Sequence, residues 1–318
     1  MKPNPTLIAI LCGLLAAVLF LGQITLGVMG SILSTFTAFP LFVSVLGFGT
    51  TAGLISGAVA ALIVGIMFGP WGALVIALLT LGPTLWVGHM AGLARDEDGE
   101  AEWFPISTIL VRMAAISAVI TIVMGYASGF TTEMAVEQIN TYITQFIGAQ
   151  SKAAQTAPML SADQITTQAN SMARIIPIAF PASIFLLLVI NLLLGERFAR
   201  KQGWVLRPKD DLPTAVGLPL IAVSVFIASI AAAIFITGPA GLVAKVVAGA
   251  FGAAFIVVGL ATTHYMTRGL PGRGFMLGLT YAALLFTRII APILAVLGVA
   301  ETLFQLRSRY AAGRNSTH

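Results

Sequence analysis

The stretch Gly49 to Gly69, GTTAGLISGAVAALIVGIMFG, constrains this chain more than any other. Small residues recur at every fourth position, at Gly49, Gly53, Gly57, Ala61, Gly65 and Gly69, and everything between them is apolar or a small hydroxyl. As a helix rising about 1.5 Å per residue it is roughly 30 Å long, one bilayer core. In water each glycine would cost about 1 kcal/mol against alanine. In lipid an unpaired backbone amide costs more than the glycine does, so the segment stays helical. Small-xxx-small spacing then lets a neighbouring backbone approach closely. A stripe at i+4 drifts about 40° per step on a helix of 3.6 residues per turn, so one straight neighbour cannot use all of it. The pattern predicts a central packing post touched by at least two other helices.

Composition agrees with a bilayer. The chain is 58% hydrophobic and 9% charged, with a mean hydropathy of +0.97, where a soluble domain carries about 25% charge. Cys12 is the one cysteine, so neither an intrachain disulfide nor a CxxC pair can form. The net charge of +5 comes from residues at the ends of apolar runs. That distribution fits the positive-inside rule and gives no basic surface for nucleic acid. The apolar run after MKPNPT is too long for a signal peptide and reads as a retained first helix. A multi-pass protein of the inner membrane is expected.

Taken in order, Leu7 to Met29 is the first span, with Ala9, Gly13 and Ala17 on a second small-residue face and Gln23 its strongly polar side chain. Ile32 to Phe48 is short and broken by Pro40. The glycine-striped helix follows, and Trp71 to Leu93, kinked at Gly82-Pro83, carries His89 near its end. Arg95 to Trp103 is a charged loop, and Ile106 to Ser128 is a span holding Arg112. In the long polar segment Gly129 to Ala173, Val136, Ile139, Ile143, Phe146 and Ile147 share one helical face. Ser161 with Gln164 reads as a capping box, and Leu160 with Ile165 as a hydrophobic staple. Two amphipathic helices lying flat as an extracytoplasmic cap are predicted over 129–173.

Ile175 to Phe198, kinked at Pro177 and Pro181, holds Asn191. Pro213 to Thr237 and Gly241 to Thr263 are further spans, the second with Lys245 and a small face at Gly241, Ala244, Ala248 and Gly252. Phe275 to Val299 is interrupted by Arg288 and Pro292, and 300–318 is a polar basic tail. The basic loop Arg197 to Lys209 belongs in the cytoplasm. Nine spans would then leave Arg307, Arg309 and Arg314 outside, whereas eight, with the last run bent back at Arg288-Pro292, keep them inside. Hydropathy favours nine and charge favours eight. The expected fold is all-α: one integral membrane domain over 1–318, a polytopic transmembrane helical bundle of eight or nine spans.

No catalytic motif is present. HExxH and Walker A sequences are absent, the histidines His89, His264 and His318 are far apart, and every acid lies in a loop, in the cap or near a helix end. Neither an enzyme, a metal nor a cofactor is expected. A sparse polar set remains inside the spans: Gln23, Arg112, Asn191, Lys245 and Arg288. An ionisable group in lipid is costly unless it finds a partner or water, so these five are the candidate intramembrane polar site. The plainer account is that Arg112 and Lys245 snorkel to the interface and that Asn191 bonds two helices together.

The segment LSADQITTQANSMARIIPIAFPASIFLLLVINLLLGERFARKQG resembles the signature region of the YybS-like bacterial membrane proteins, an uncharacterised family. The closing LGVAETLFQLRSR is similar to that family's last helix, with Glu301 where an aspartate would be expected. PLFVSVLGFGTTAGLISGAVAALIVG is similar in texture to the S components of energy-coupling factor importers. That resemblance implies a subunit that binds a vitamin or metal ion and docks on a transmembrane partner through a small-residue face on the first helix, here Ala9, Gly13 and Ala17. S components usually have six spans, so the longer count and the cap are departures. The leading expectation is a binding or transport-associated subunit of unknown ligand. The alternative is a structural or regulatory membrane protein that transports nothing. A ligand-binding protein needs an enclosed polar cavity among its helices, and a scaffold does not.

Overall fold

The computed structural model describes residues 3–97, 100–154, 161–287 and 289–315. Helix α1 (Pro5–Thr25) starts under Asn4, whose Oδ1 accepts from the Thr6 amide at 3.0 Å. That bond satisfies one of the donors a helix start leaves open. Helices α2 (Gly27–Ser34) and α3 (Ala38–Phe48) form a second apolar stretch, and Gly30 of α2 lies against the Gly22 backbone of α1. Next come α4 (Thr50–Ile76), a π-helical turn (Ala77–Leu81) and α5 (Gly82–Ala91). After a two-stranded hairpin follow α6 (Ile106–Ala127), α7 (Thr132–Ala154) and α8 (Ala162–Lys201). The chain closes with α9 (Leu212–Ala215), α10 (Leu220–Phe235), α11 (Gly238–Met266), α12 (Arg273–Phe286), α13 (Ile290–Phe304) and α14 (Leu306–Asn315). Among the described residues six helical stretches are long and apolar enough to cross a membrane, seven if α13 and α14, bent by 67°, count as one.

Thr50–Ala91 is 42 residues long, about twice what a bilayer needs. It is folded in two at Gly69, whose φ of 72° and ψ of −175° lie outside the helical region. Glycine alone adopts that backbone without strain, and Pro70 behind it opens the next helix. The two limbs run antiparallel. A Cβ on Gly53 would meet the Leu85 side chain, one on Gly57 would meet Leu85 and Leu81, and one on Gly65 would meet the Ala73 methyl at 3.2 Å. Thr50 Oγ1 and His89 Nδ1, 2.8 Å apart, tie the open end.

The stretch is touched by more than one helix, as expected: α4 packs on α1 and α3 besides its own return limb, and a Cβ on Gly53 would meet Val45 of α3 as well as Leu85. Its expected centrality is corrected, because Gly57 and Gly65 face the hairpin's own return limb, Ala61 is half-buried, and Gly49 and Gly69 are corners with positive φ and nothing within 4 Å. Only 11% of the stretch's most apolar window is buried, against 56% for α11. The hub is α11, which packs on α6, α8, α10 and α13. Glycine lets its backbone touch its neighbours: a Cβ on Gly249 would sit 2.1 Å from the Ile178 carbonyl, and one on Gly259 2.0 Å from that of Leu294. Gly298 of α13 answers at 2.1 Å from the Phe255 carbonyl. In lipid such backbone approach replaces the hydrophobic drive that water would supply. Centrality therefore follows how many neighbours use a small-residue face, not how many small residues there are.

Ser161 and Gln164 form the reciprocal capping box, with bonds of 3.3 and 2.9 Å. The helix they start does not lie flat as expected. It runs on without interruption into the span, so α8 is 40 residues long, roughly 60 Å. Pro177 and Pro181 remove two amide donors without ending it. Helix α7 packs along the N-terminal part of α8, where Ala169 and Ala173 are fully buried, and Ile139 and Ile143 are half-buried. The side chains of Phe146 and Ile147, and all of Leu160, lie outside the described residues.

Arg95 to Trp103, expected as a loop, is in fact an antiparallel hairpin of β1 (Ala94–Glu97) and β2 (Glu100–Trp103). The chain's last third returns to the end where it started. Arg268, just past α11, pairs with Asp211. Arg307, at the start of α14, donates to the carbonyls of Pro213 at 2.6 Å and Val216 at 2.8 Å. Both arginines thus hold the same short segment, so α12 and α13 go out from that end and come back to it. At 14 and 15 residues each is about 21–22 Å long, short of a bilayer core.

Candidate functional site

Between the ends of α3, α8 and α11, the start of α6 and one side of α12 lies a partly open cavity of about 1260 Å³. Its inner wall is apolar, with Met113, Leu186, Ile256 and Leu260 among the lining residues. Polar groups collect at the outer rim: Glu196, Arg207, Asp210, His264 and Tyr281. From Leu186 to Glu196 along α8 is about 15 Å, half of a 30 Å hydrocarbon core.

The rim is built by the basic loop. Arg207 Nε donates to Asp210 Oδ2 at 2.7 Å, and its guanidinium reaches across to the Phe104 carbonyl at 3.0 Å, fixing the loop to the entry of α6. Arg200 pairs with Glu196 and also donates to the Arg207 carbonyl at 2.8 Å. Trp204 packs against Phe48 with ring centroids 5.0 Å apart and the planes tilted by 51°, and closes the α3 side. On the opposite side His264 Nε2 and the Tyr281 hydroxyl, 2.9 Å apart, join α11 to α12. Beyond them Arg268 donates to both oxygens of Asp211, at 2.9 and 2.5 Å. That bond, with one from Thr214, lowers the Asp211 carboxyl to about 2.

Helix α12 is set apart from the bundle. None of its residues is buried, and Phe275, Leu285 and Phe286 are 77%, 81% and 87% exposed. Gly272, with φ of 76°, starts it, and an extended Thr287 ends it. Irregular backbone inside a membrane is tolerated where it lines a cavity, and this break stands beside one.

The five residues expected to form a polar site are not brought together. Arg112 is at the cavity end but turned away from the lining, with its guanidinium over the Phe104 ring at 4.9 Å and within 3.3 Å of Met90 sulfur. Asn191 is buried, and its amide donates to the carbonyls of Thr35 at 2.9 Å and Leu187 at 2.7 Å, bonding α8 to the α2–α3 turn. Lys245 stands 19 residues before His264, roughly 28 Å up the helix. Gln23 is exposed, about 27 Å along α1 from Pro5, which lines the cavity. Arg288 and His318 lie outside the described residues. The expected docking face is also used up: Ala9, Gly13 and Ala17 are buried, and a Cβ on Gly13 would sit 2.5 Å from the Ser56 carbonyl of α4. Small residues pack close to whichever helix is nearest, and here that is the chain's own. His264 with Tyr281, 17 residues apart, and the tie of Arg207 to Phe104, 103 residues apart, escaped sequence reasoning because each joins separate elements. Among the described residues no three His, Cys, Asp or Glu side chains gather as a metal site.

Residues 14–302 match the family described as a predicted membrane protein, DUF2232. The chain belongs to that family. The DUF2232 chain matches no curated protein and no solved structure. The match runs from within α1 to the end of α13 and so takes in every element that lines the cavity except Pro5.

Proposed function

We propose that this DUF2232 protein is a ligand-binding, transport-associated membrane subunit of YybS-like type, without catalytic chemistry of its own. The observation that carries the reading is the cavity: about 1260 Å³ of apolar space with a polar rim, larger than the usual ligand pocket of about 300–1000 Å³. The space is partly open and mostly apolar, not the enclosed polar cavity expected from the sequence, so what supports binding is its volume together with the polar groups gathered at one rim. The broken α12–α13 pair beside it has the form of the discontinuous helices that line substrate sites in many transporters. The likeness to S components extends to a binding subunit that works with a membrane partner. That partner docks elsewhere than on Ala9, Gly13 and Ala17.

The topology that goes with this reading has eight spans. The two limbs of Thr50–Ala91 count separately, α10 crosses despite its 16 residues, and α12–α13 re-enters from the cytoplasmic side. The basic loop and the tail arginines then share the cytoplasm, as the charge rule asks. Helix α7 and the first turns of α8 stand outside the inner membrane as an extracytoplasmic cap.

The test is purification in mild detergent and mass spectrometry of the small molecules that stay bound. Wild-type protein should retain one, and Leu260→Trp, which fills the cavity, should lose it while keeping its helical circular dichroism. Identical content in the two, or protein partners alone, would favour a scaffold.

A further inference from the structure

The cavity's shape and charge narrow its ligand, and the argument rests on the binding role proposed above. The apolar part is about 15 Å deep, which is one leaflet of a bilayer and not two. Its polar rim is level with the basic loop, where lipid headgroups would be. On one side the wall is α12, a helix with no buried residue and a bare apolar outer surface, so the space adjoins the acyl chains of that leaflet.

The rim's charge has a sign. Segment 196–211 holds five cations against three carboxylates, and Arg268 and Arg273 raise the cations to seven. Glu196 pairs with Arg200, Asp210 with Arg207 and Asp211 with Arg268, so the cations outside these pairs are Arg197, Lys201, Lys209 and Arg273. Arg273, at the start of α12, has a buried Nε with no hydrogen-bond partner among the described residues. A buried, unsatisfied donor on a cation is costly unless something binds it. Arg268 and Arg273 stand behind the lining, and both lie within electrostatic reach of His264, which lines the cavity. Among the described residues the hairpin touches the space through Trp103, on the α6 side. An anionic head is therefore drawn to the α11–α12 side.

We infer that the cavity takes an anionic lipid from the cytoplasmic leaflet, with its acyl chains between α8, α11 and α12 and its headgroup at Arg273, His264 and Tyr281. Helix α12 is then the side wall past which the lipid enters from the membrane.

The experiment uses the full chain in mild detergent, titrated in native mass spectrometry with phosphatidylglycerol, phosphatidylcholine of the same chains, and inorganic phosphate. Phosphatidylglycerol should bind with at least about fivefold preference, the factor one cation near an anionic membrane surface supplies. Arg273→Gln should erase that preference, Arg273→Lys should restore most of it, and Leu284→Trp should abolish binding of both lipids. Should Arg273→Gln fold poorly, Tyr281→Phe gives the same reading at the other side of the head. Equal binding of the two lipids, with Leu284→Trp still blocking both, would overturn the anionic headgroup and leave the cavity as a binding site. Displacement of lipid by inorganic phosphate would show a free-anion site and overturn the lipid. If Leu284→Trp changes nothing, the binding role fails with it.

Discussion

Replacing Gly259 by alanine tests whether α11 is the hub. The added methyl carbon would lie 2.0 Å from the Leu294 carbonyl oxygen, where ordinary contact begins at 3.4 Å. Helix α13 must therefore retreat by about 1.4 Å, because a carbonyl in a helix cannot swing aside as the end of a side chain can. Leu294 is buried at the junction. A buried leucine makes some 40 atom contacts worth ~0.1 kcal/mol each, and a gap of this size forfeits about half of them, or ~2 kcal/mol. Overpacked cores lose a similar amount, about 1–3 kcal/mol. In mild detergent the midpoint for loss of monodisperse protein on heating should fall by about 4–8 °C. Gly278→Ala on α12 is the control. Its methyl meets nothing within 4 Å, and alanine is the better helix former by about 1 kcal/mol. That variant should melt with the wild type or above it. A Gly259→Ala protein that melts with the wild type, or a Gly278→Ala protein that falls as far, would refute the close α11–α13 approach.

Arg307→Met should be the more damaging change at the tail. It leaves Glu301, whose side chain is 8% exposed, with the residue-307 amide but no cation, and frees the carbonyls of Pro213 and Val216, a loss of about 3 kcal/mol, the low end of the usual penalty for removing one partner of a buried pair. Glu301→Gln should cost less, and thermal melts of the two variants will rank them. The exposed Asp211–Arg268 pair should be insensitive to physiological pH. Its carboxyl is lowered to about 2, so its contribution is complete above the ordinary 3.8 and is lost as pH falls through about 2. The melting difference between wild type and Asp211→Asn should accordingly be flat from about pH 5 to about pH 8, and a slope there would contradict the assignment. With Cys12 replaced, a cysteine at Gln202 should resist impermeant thiol reagents in intact cells and react in inside-out vesicles. Labelling from outside would invert the topology.

What the sequence made legible is mostly local. The Ser161 capping box needs only a three-residue spacing, and it is there. Asn191 reads as a helix-to-helix bond because a buried amide in lipid must find carbonyls nearby, and it finds Thr35 and Leu187. Pro177 and Pro181 read as kinks at the start of a separate span, and α8 instead runs from Ala162 through both, since lost amide bonds on one side do not outweigh packing along α7, α6 and α11. The charge rule for the tail arginines favoured the bent-back ending, and Arg307 on the 213–216 carbonyls lies at the end that this ending requires. The site was the least legible part. The sequence marks polar residues by their cost in lipid, which singled out Gln23 and Lys245 on the wrong end of their helices. It does not mark the apolar side chains that leave a space, and His264 and Tyr281 acquire meaning only once α12 folds back beside α11.

The corner at Gly69 also sets a counting rule for the chain. Its contacts pair residues 53 with 85, 57 with 81 and 65 with 73, each pair centred on the corner. One residue added to a single limb would turn everything beyond it by about 100° and lift it about 1.5 Å. The leucines at 81 and 85 would swing off the glycines that receive them, and the bond between Thr50 and His89 would part. Paired additions of one residue keep each couple at the same height but turn both outer limbs by about 100° about their own axes, so the faces still part. Matched additions of about seven residues, close to two whole turns, bring the couples face to face again, so insertions and deletions in this stretch should be tolerated as matched two-turn pairs about residue 69 and rejected singly, although the sequence between the corners looks monotonous enough to slide.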